Sequence, residues 1–191
     1  MDFLWWEKTV EYYFVQKYVD INMIIAPLNG LQEKGGDAIF ANVANWVLIE
    51  FKRDFESISS EIEKFNDYES AKSHFLEKDS HHFIIYGEMS GKEFRLNSQT
   101  YFSSKKEELE VVLNSGVNET IFIPYLKKYI EFKKSKKGTS GGGYSFVAGI
   151  SNDGKVTQCM SLSEYIRARK LVKTLKPKKT LDRGYEPPRP K

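Results

Sequence analysis

Two acidic residues and one lysine stand at the ends of two short apolar segments. Asp37 starts the segment 37–43, and Glu50 and Lys52 close the segment 46–52, which begins Trp-Val-Leu-Ile. Because side chains alternate between the faces of a strand, Glu50 and Lys52 are expected to point the same way. Charges at the end of an apolar strand are costly unless they are paired or bind an ion.

These side chains suit the hydrolysis of a phosphodiester. Ala44-Asn45 predicts a tight turn, so the two strands would be neighbours and Asp37 would lie beside Glu50. Paired carboxylates suit a hard cation such as Mg²⁺ or Mn²⁺, which can polarise a phosphodiester and generate hydroxide from bound water. Lys52 could orient the attacking water and contact the phosphate.

The elements that must position these groups follow from hydrophobic periodicity and turn residues. Helices are predicted at residues 3–19, 54–65, about 68–78, 104–114, 118–134 and 161–175. Strands are predicted at residues 21–28, 37–43, 46–52, 82–87 and 144–150. Pro124 should lie where its helix begins or kinks. The order indicates an α/β or α+β domain in which helices flank a central mixed β-sheet.

The first predicted helix is rich in aromatic residues. Phe3, Trp6, Val10 and Phe14 recur at the spacing of one helix face and are expected to form an apolar face. Trp5 and Trp6 are expected to be core or interface anchors, which leaves a homodimer or a partner protein as an option.

A helix bearing Glu, then Gly-Asp at a strand start, an apolar strand ending in Glu-x-Lys and a further helix resemble the PD-(D/E)XK (restriction-endonuclease-like) nuclease superfamily. The matching residues are Gly36-Asp37 and Glu50-Phe51-Lys52, with Gly where Pro is usual. The resemblance covers about residues 3–87. It implies a nuclease that depends on Mg²⁺ or Mn²⁺ and cuts DNA, with RNA as the alternative substrate. It also suggests a role in phage defence, in a mobile element or in repair.

The resemblance also implies roles for single residues. Asp37, Glu50 and the backbone carbonyl of Phe51 would hold the metal, and Lys52 would be catalytic. A glutamate of the first helix would complete the site, and the sequence leaves Glu7 and Glu11 as alternatives. The following helix could add Ser57, Ser60 or Lys64.

The charge distribution sets the end of the chain apart. Residues 1–175 are expected to form one nuclease-like domain, with a core at 3–87 and a helix-rich addition at 88–175, followed by a basic, Pro-containing tail at 176–191. The net charge is +3 overall, but ten basic and two acidic residues from Arg167 onward leave −5 on the rest. Such asymmetry favours a polyanionic partner.

Basic residues on two of the later helices are candidates for nucleic-acid binding, because basic side chains interleaved with aromatic ones can hold phosphates and stack on bases. They are Lys127, Lys128, Lys133, Lys134, Arg167, Lys170 and Lys173. A rival function follows from the same surface. The chain could be a non-catalytic subunit that keeps the nuclease fold and binds nucleic acid or a partner protein.

Composition argues against several other classes of protein. No segment reaches the roughly 20 apolar residues that cross a bilayer, and the N-terminus does not read as a signal peptide. The single cysteine, Cys159, excludes an internal disulfide and Cys-based zinc sites, which favours a reducing, cytoplasmic compartment. Cys159 is expected to be buried or incidental, and His81 and His82 are expected at the surface.

Overall fold

The computed structural model describes residues 4–19, 45–134, 145–152 and 155–171. Its helices are α1 (Glu7–Tyr18), a 3-10 helix (Glu56–Lys64), α2 (Tyr68–Phe75), α3 (Leu109–Asn114), α4 (Glu119–Phe132) and α5 (Leu162–Ala168). Its strands are β1 (Asn45–Lys52), β2 (His82–Ser90), β3 (Glu93–Thr100), β4 (Lys106–Glu107), β5 (Ser145–Ile150) and β6 (Val156–Ser161). The predicted strands 21–28 and 37–43 lie outside the described residues.

One six-stranded sheet runs through the described residues in the order β4-β3-β2-β1-β5-β6. β1 and β2 are parallel, and the other neighbouring pairs are antiparallel. The predicted α/β class with a central mixed sheet is thus confirmed. Within these ranges, none of the helices has the length and apolar content that crossing a bilayer would require.

Both faces of the sheet are covered by helices. Val10 and Phe14 of α1 pack with α3 against one face of β1, including Val47 and Ile49. The other face of the sheet packs against the 3-10 helix, α2, α4 and α5. β1 is apolar nearly throughout because it lies at the centre of the sheet, where both faces are buried.

The neighbours of β1 differ from the expected hairpin. β1 pairs with β2 along one edge and with β5 along the other, through Asn45–Glu50. A strand has only two edges for hydrogen bonding. Within the described residues β1 thus has β2 and β5 as its partners, and the predicted partner segment 37–43 lies outside them.

Several other boundaries also need correction. Two strands, β3 and β6, were not predicted, and the predicted helix 104–114 contains the short β4 before α3. The helix predicted at 54–65 is the 3-10 helix Glu56–Lys64. The helix predicted at 161–175 corresponds to α5, which ends at Ala168; Lys170 then has a φ of 51°. Pro124 lies inside α4, which continues through it.

Candidate active site

Glu50 and Lys52 leave the same face of β1 and are both buried, with 1% and 4% of their surface exposed. They meet Glu61 and Lys64 of the 3-10 helix and Lys133 at the end of α4. Lys64 joins the two halves of this group, because its Nζ lies 2.6 Å from Glu61 and 3.7 Å from Glu50. These five residues are called the charged cluster.

Glu50 is surrounded by hydrogen-bond donors from α4, its C-cap residue and β5. Its Oε1 accepts from the Tyr129 hydroxyl at 3.0 Å, from Lys133 Nζ at 3.2 Å and from the Ser145 hydroxyl. Burial alone would raise the pKa of Glu50, but the charges of Lys133 and Lys64 and the hydrogen bonds outweigh it and lower the pKa to about 2. Glu50 is therefore ionised at neutral pH.

Lys52 is held by the 3-10 helix. Its Nζ lies 2.5 Å from Glu61 Oε1 and donates to the Ser60 hydroxyl at 2.8 Å. The other oxygen of Glu61 accepts from the Tyr101 hydroxyl at 2.6 Å. Glu61 thus fixes the Lys52 ammonium from one side while Tyr101 fixes Glu61.

The geometry of the 3-10 helix explains why Glu61 and Lys64 form an ion pair. A 3-10 helix has three residues per turn, so side chains at positions i and i+3 lie one above the other. Asp54 stabilises its start by accepting from the Ser57 amide at 2.9 Å. At its end, the Lys134 amide donates to the Lys64 carbonyl at 2.9 Å, which joins this helix to the end of α4.

The two glutamates of α1 differ in the charges that surround them. Burial raises the pKa of Glu7, and the charges that act on it are those of Lys52, Lys64, Glu50 and Glu61. Glu7 therefore lies within electrostatic reach of the charged cluster. Glu11 instead pairs with Lys8 at 2.6 Å and is the charge that acts on buried Cys159.

The other predicted metal ligands are Asp37 and the backbone carbonyl of Phe51. Asp37 lies outside the described residues. Phe51 pairs with Ile85 in the β1–β2 ladder, and its ring packs on the α1 side, 5.5 Å from that of Phe14. Within the described ranges no group of three His, Cys, Asp or Glu side chains is placed to hold a metal ion.

The carboxylate chemistry of Glu50 and Glu7 fits a hard divalent cation. At Glu50, however, three protein donors already bind Oε1. A metal site here needs a further acid, and Asp37 is the one that the sequence predicts.

The residues predicted to bind nucleic acid do not form one surface. Lys133 belongs to the charged cluster, whereas Lys128 pairs with Glu131 at 2.8 Å on the outside of α4. Exposed residues of this set are Lys127, Lys134, Arg167 and Lys170, and Lys173 lies outside the described residues. Arg167 and Lys170 flank Arg169, which pairs with Glu119 at the start of α4, the opposite end of that helix from Lys133.

The two adjacent histidines are buried rather than at the surface, which corrects the expectation from sequence. His82 Nδ1 lies 2.9 Å from the Tyr125 hydroxyl, and the ring stacks on Tyr101 at 4.1 Å. His81 packs edge-on against Tyr125 at 4.4 Å. Burial lowers the pKa of His81 to about 4 and holds that of His82 well below its usual value. The His82 ring also packs edge-on against Tyr129 at 4.8 Å, so it supports both Tyr101 and Tyr129.

Cys159 is buried, as expected for a thiol without a catalytic role. Burial raises its pKa to about 12, so it is protonated at neutral pH and is a poor nucleophile.

Sequence reasoning missed four contributors to the site: Glu61, Tyr101, Tyr129 and Ser145. The spacing of Glu61 and Lys64 was visible, but it is shared by many solvated helices. The partners Tyr129 and Ser145 lie 79 and 95 residues from Glu50, and no local pattern connects them.

Comparisons of the chain with protein-family models, with curated proteins and with solved structures gave no match. What this protein does must therefore be inferred from its own residues.

Proposed function

We propose that this chain is a metal-dependent nuclease that cuts DNA in the cytoplasm, with Glu50 and Lys52 at its active site. The observation that carries the proposal is the convergence of these two buried charges with Glu61, Lys64 and Lys133 at the end of β1. Buried ion pairs are often no more stabilising than apolar residues of similar volume. A catalytic use therefore accounts for the charged cluster better than stability does.

The position of the cluster supports the same proposal. β1 and β2 are parallel, so their carboxyl ends point the same way; β1 ends at Lys52 opposite Tyr86, and β2 continues to Ser90. Ligands of open α/β sheets bind beyond the carboxyl ends of such strands. The side chains of Lys64 and Lys133 are partly exposed, so a phosphate that reaches the carboxyl end of β1 meets two ammonium groups.

Each residue of the cluster has a role in this proposal. Lys52, held in place by Glu61 and Ser60, contacts the phosphate and orients the attacking water. Lys64 and Lys133 offset the negative charge that develops on the phosphate oxygens. A divalent cation bound by Glu50 with Asp37 and Glu7 would supply Lewis acidity and a more acidic water.

The test is cleavage of linear and circular plasmid DNA with Mg²⁺ or Mn²⁺. Glu50→Gln, Lys52→Met and Asp37→Asn should each lower the rate by about 100-fold or more, the scale expected when a catalytic group is removed. Glu63→Gln is the matched control, because Glu63 is exposed on the same 3-10 helix. Full activity in folded Glu50→Gln would sink the proposal.

A second function is favoured by one observation. In the described structure the Glu50 carboxylate is engaged by two lysines and two hydroxyl groups, as in a structural ion-pair network. This arrangement suits a non-catalytic subunit that binds nucleic acid or a partner protein. That function predicts a folded wild-type protein that binds DNA and does not cut it with either metal.

A further inference from the structure

Two large aromatic side chains are exposed, one directly before Glu7 in the chain and one three residues after Lys52. Trp6 is 61% exposed and Phe55 is 54% exposed. Trp6 was expected on the apolar face of α1, but the structure buries Val10 and Phe14 and leaves Trp6 outside that face. Isolated exposed apolar residues are common, whereas a group of them beside a charged site indicates a binding surface. Trp6 and Phe55 are called the aromatic rim.

A hydrogen bond of Trp5 and a ring contact of Phe55 place the two rim segments at the carboxyl end of β1. The indole N–H of Trp5 donates to the Arg53 carbonyl at 2.6 Å, which places the start of α1 against the residue that follows Lys52. Trp6 comes directly after Trp5. Phe55 lies two residues beyond Arg53, and its ring is 5.6 Å from that of Tyr86, the cross-strand partner of Lys52.

The backbone that carries the two rings is well fixed. Trp6 precedes the first residue of α1, and its amide donates to the Thr9 hydroxyl at 3.2 Å. Phe55 follows Asp54, whose carboxylate accepts from the Ser57 amide and pairs with Arg53 at 2.6 Å. The rings are therefore presented on preorganised backbone, which lowers the entropic cost of binding through them.

The charge of the neighbouring cluster suits a polyanion. The ammonium groups of Lys64 and Lys133 are partly exposed, so a polyanion can reach them, whereas the carboxylates of Glu50 and Glu61 are almost fully buried. Exposed aromatic rings beside a basic site are typical of proteins that bind single strands, because unpaired bases offer free faces for stacking. In a duplex those faces are covered by neighbouring bases.

We infer that the aromatic rim stacks on unpaired bases of a single-stranded nucleic acid whose phosphate lies at Lys64 and Lys133. The inference rests on the proposed function for the position of that phosphate, and it makes single-stranded nucleic acid the preferred substrate. Deoxyribose and ribose strands share the chemistry that the rim recognises.

The test measures binding without catalysis. Fluorescence anisotropy in EDTA would follow labelled 20-nucleotide DNA and RNA strands of one sequence and the matching DNA duplex. Wild type should bind a single strand at least about 10-fold more tightly than the duplex. Trp6→Ala and Phe55→Ala should each weaken single-strand binding by about 10-fold, the scale expected when one stacked base is lost.

Tyr12→Ala is the matched control. Tyr12 is 66% exposed on the same helix but lies roughly 240° around its axis from Trp6, so its loss should leave binding unchanged. Thermal unfolding checks that all variants fold. Tight binding of either the DNA or the RNA strand supports the inference, and the tighter of the two identifies the preferred sugar.

Two results would overturn it. The first is that the wild-type protein binds the duplex as tightly as the single strand, or that it binds neither nucleic acid. The other is unchanged single-strand affinity in both rim variants, which would leave a protein partner as the occupant of the rim. With intact rim-dependent binding, failure to cut both the plasmids and the labelled single strands in Mg²⁺ or Mn²⁺ overturns only the nuclease proposal. Metal-dependent cutting without rim-dependent binding overturns only the inference on the rim.

Discussion

Lys52 and Glu61 form an ion pair in which both side chains are almost completely buried, with 2.5 Å between Nζ and Oε1. The pair joins the central strand β1 to the 3-10 helix that follows it. Glu61 also pairs with Lys64 and accepts from Tyr101, so one carboxylate satisfies three neighbours.

Replacing Glu61 should therefore be strongly destabilising. In Glu61→Ala, Lys52 stays buried without a counter-charge, and breaking a buried pair in this way costs about 3–5 kcal/mol. Urea denaturation should show a loss of about 3 kcal/mol or more in the free energy of unfolding. Glu63→Ala, on the exposed side of the same helix, should change it by less than about 0.5 kcal/mol. A loss below 1 kcal/mol in Glu61→Ala would contradict the buried pair.

Asp79 should be needed to hold the turn after β3. Its buried carboxylate accepts from the amides of Phe102 and Ser103 at 2.6 and 2.8 Å and from the Ser103 hydroxyl at 2.5 Å. Asp79→Ala leaves these donors without a partner, which should cost about 2 kcal/mol or more. Thermal or urea unfolding measures the loss, and Asp79→Asn should retain part of the stability. Equal stability of Asp79→Ala and exposed Lys78→Ala would refute this role.

The buried histidines should make stability depend on pH. Burial lowers the pKa of His81 to about 4 and holds that of His82 well below its usual value, so both rings stay neutral in the folded protein while the unfolded chain begins to bind protons below about pH 6.5. Because the unfolded state binds more protons, stability rises with pH up to about 6.5. Each histidine can contribute up to about 1.4 kcal/mol per pH unit between the two pKa values.

Urea unfolding from pH 4.5 to 7.5 tests this dependence. The groups around His82 are Tyr101, Tyr125, Tyr129, Lys133 and Glu61. His82→Phe should flatten the slope below pH 6.5, whatever its effect on stability at neutral pH. His74→Asn, a change at an exposed histidine, should keep the slope of wild type. An unchanged slope in His82→Phe would show that His82 is not the source.

Gly87 should tolerate no side chain. A Cβ there would lie 2.6 Å from Phe94 Cζ and 2.9 Å from Trp5 Nε1. Gly87→Ala should cost about 1–3 kcal/mol through overpacking and should displace the indole that bonds to Arg53. Unfolding measurements should show this loss, and Ser90→Ala on the exposed end of the same strand should not. Wild-type stability in Gly87→Ala would mean that Trp5 is not held as described.

Features that depend on one short segment could be predicted from the amino-acid sequence. Alternation along β1 places Glu50 and Lys52 on one face, because this period depends only on strand geometry. The apolar runs of β1, β2 and β5 and the amphipathic α4 were also predictable, since each pattern lies within one segment. β3 and β6 were missed because their side chains are more polar, and pairing with neighbouring strands rather than their own composition keeps them extended.

The groups that surround Glu50 are known only from the folded structure. Tyr129, Lys133 and Ser145 reach it from segments 79 to 95 residues away. The folded structure is also needed to see that Glu7, and not Glu11, lies within electrostatic reach of the charged cluster. The exposure of Trp6 and the burial of His82 also follow from which faces the sheet covers. Local periodicity defines the face on which a residue lies, but only the packing of distant segments defines what that face meets.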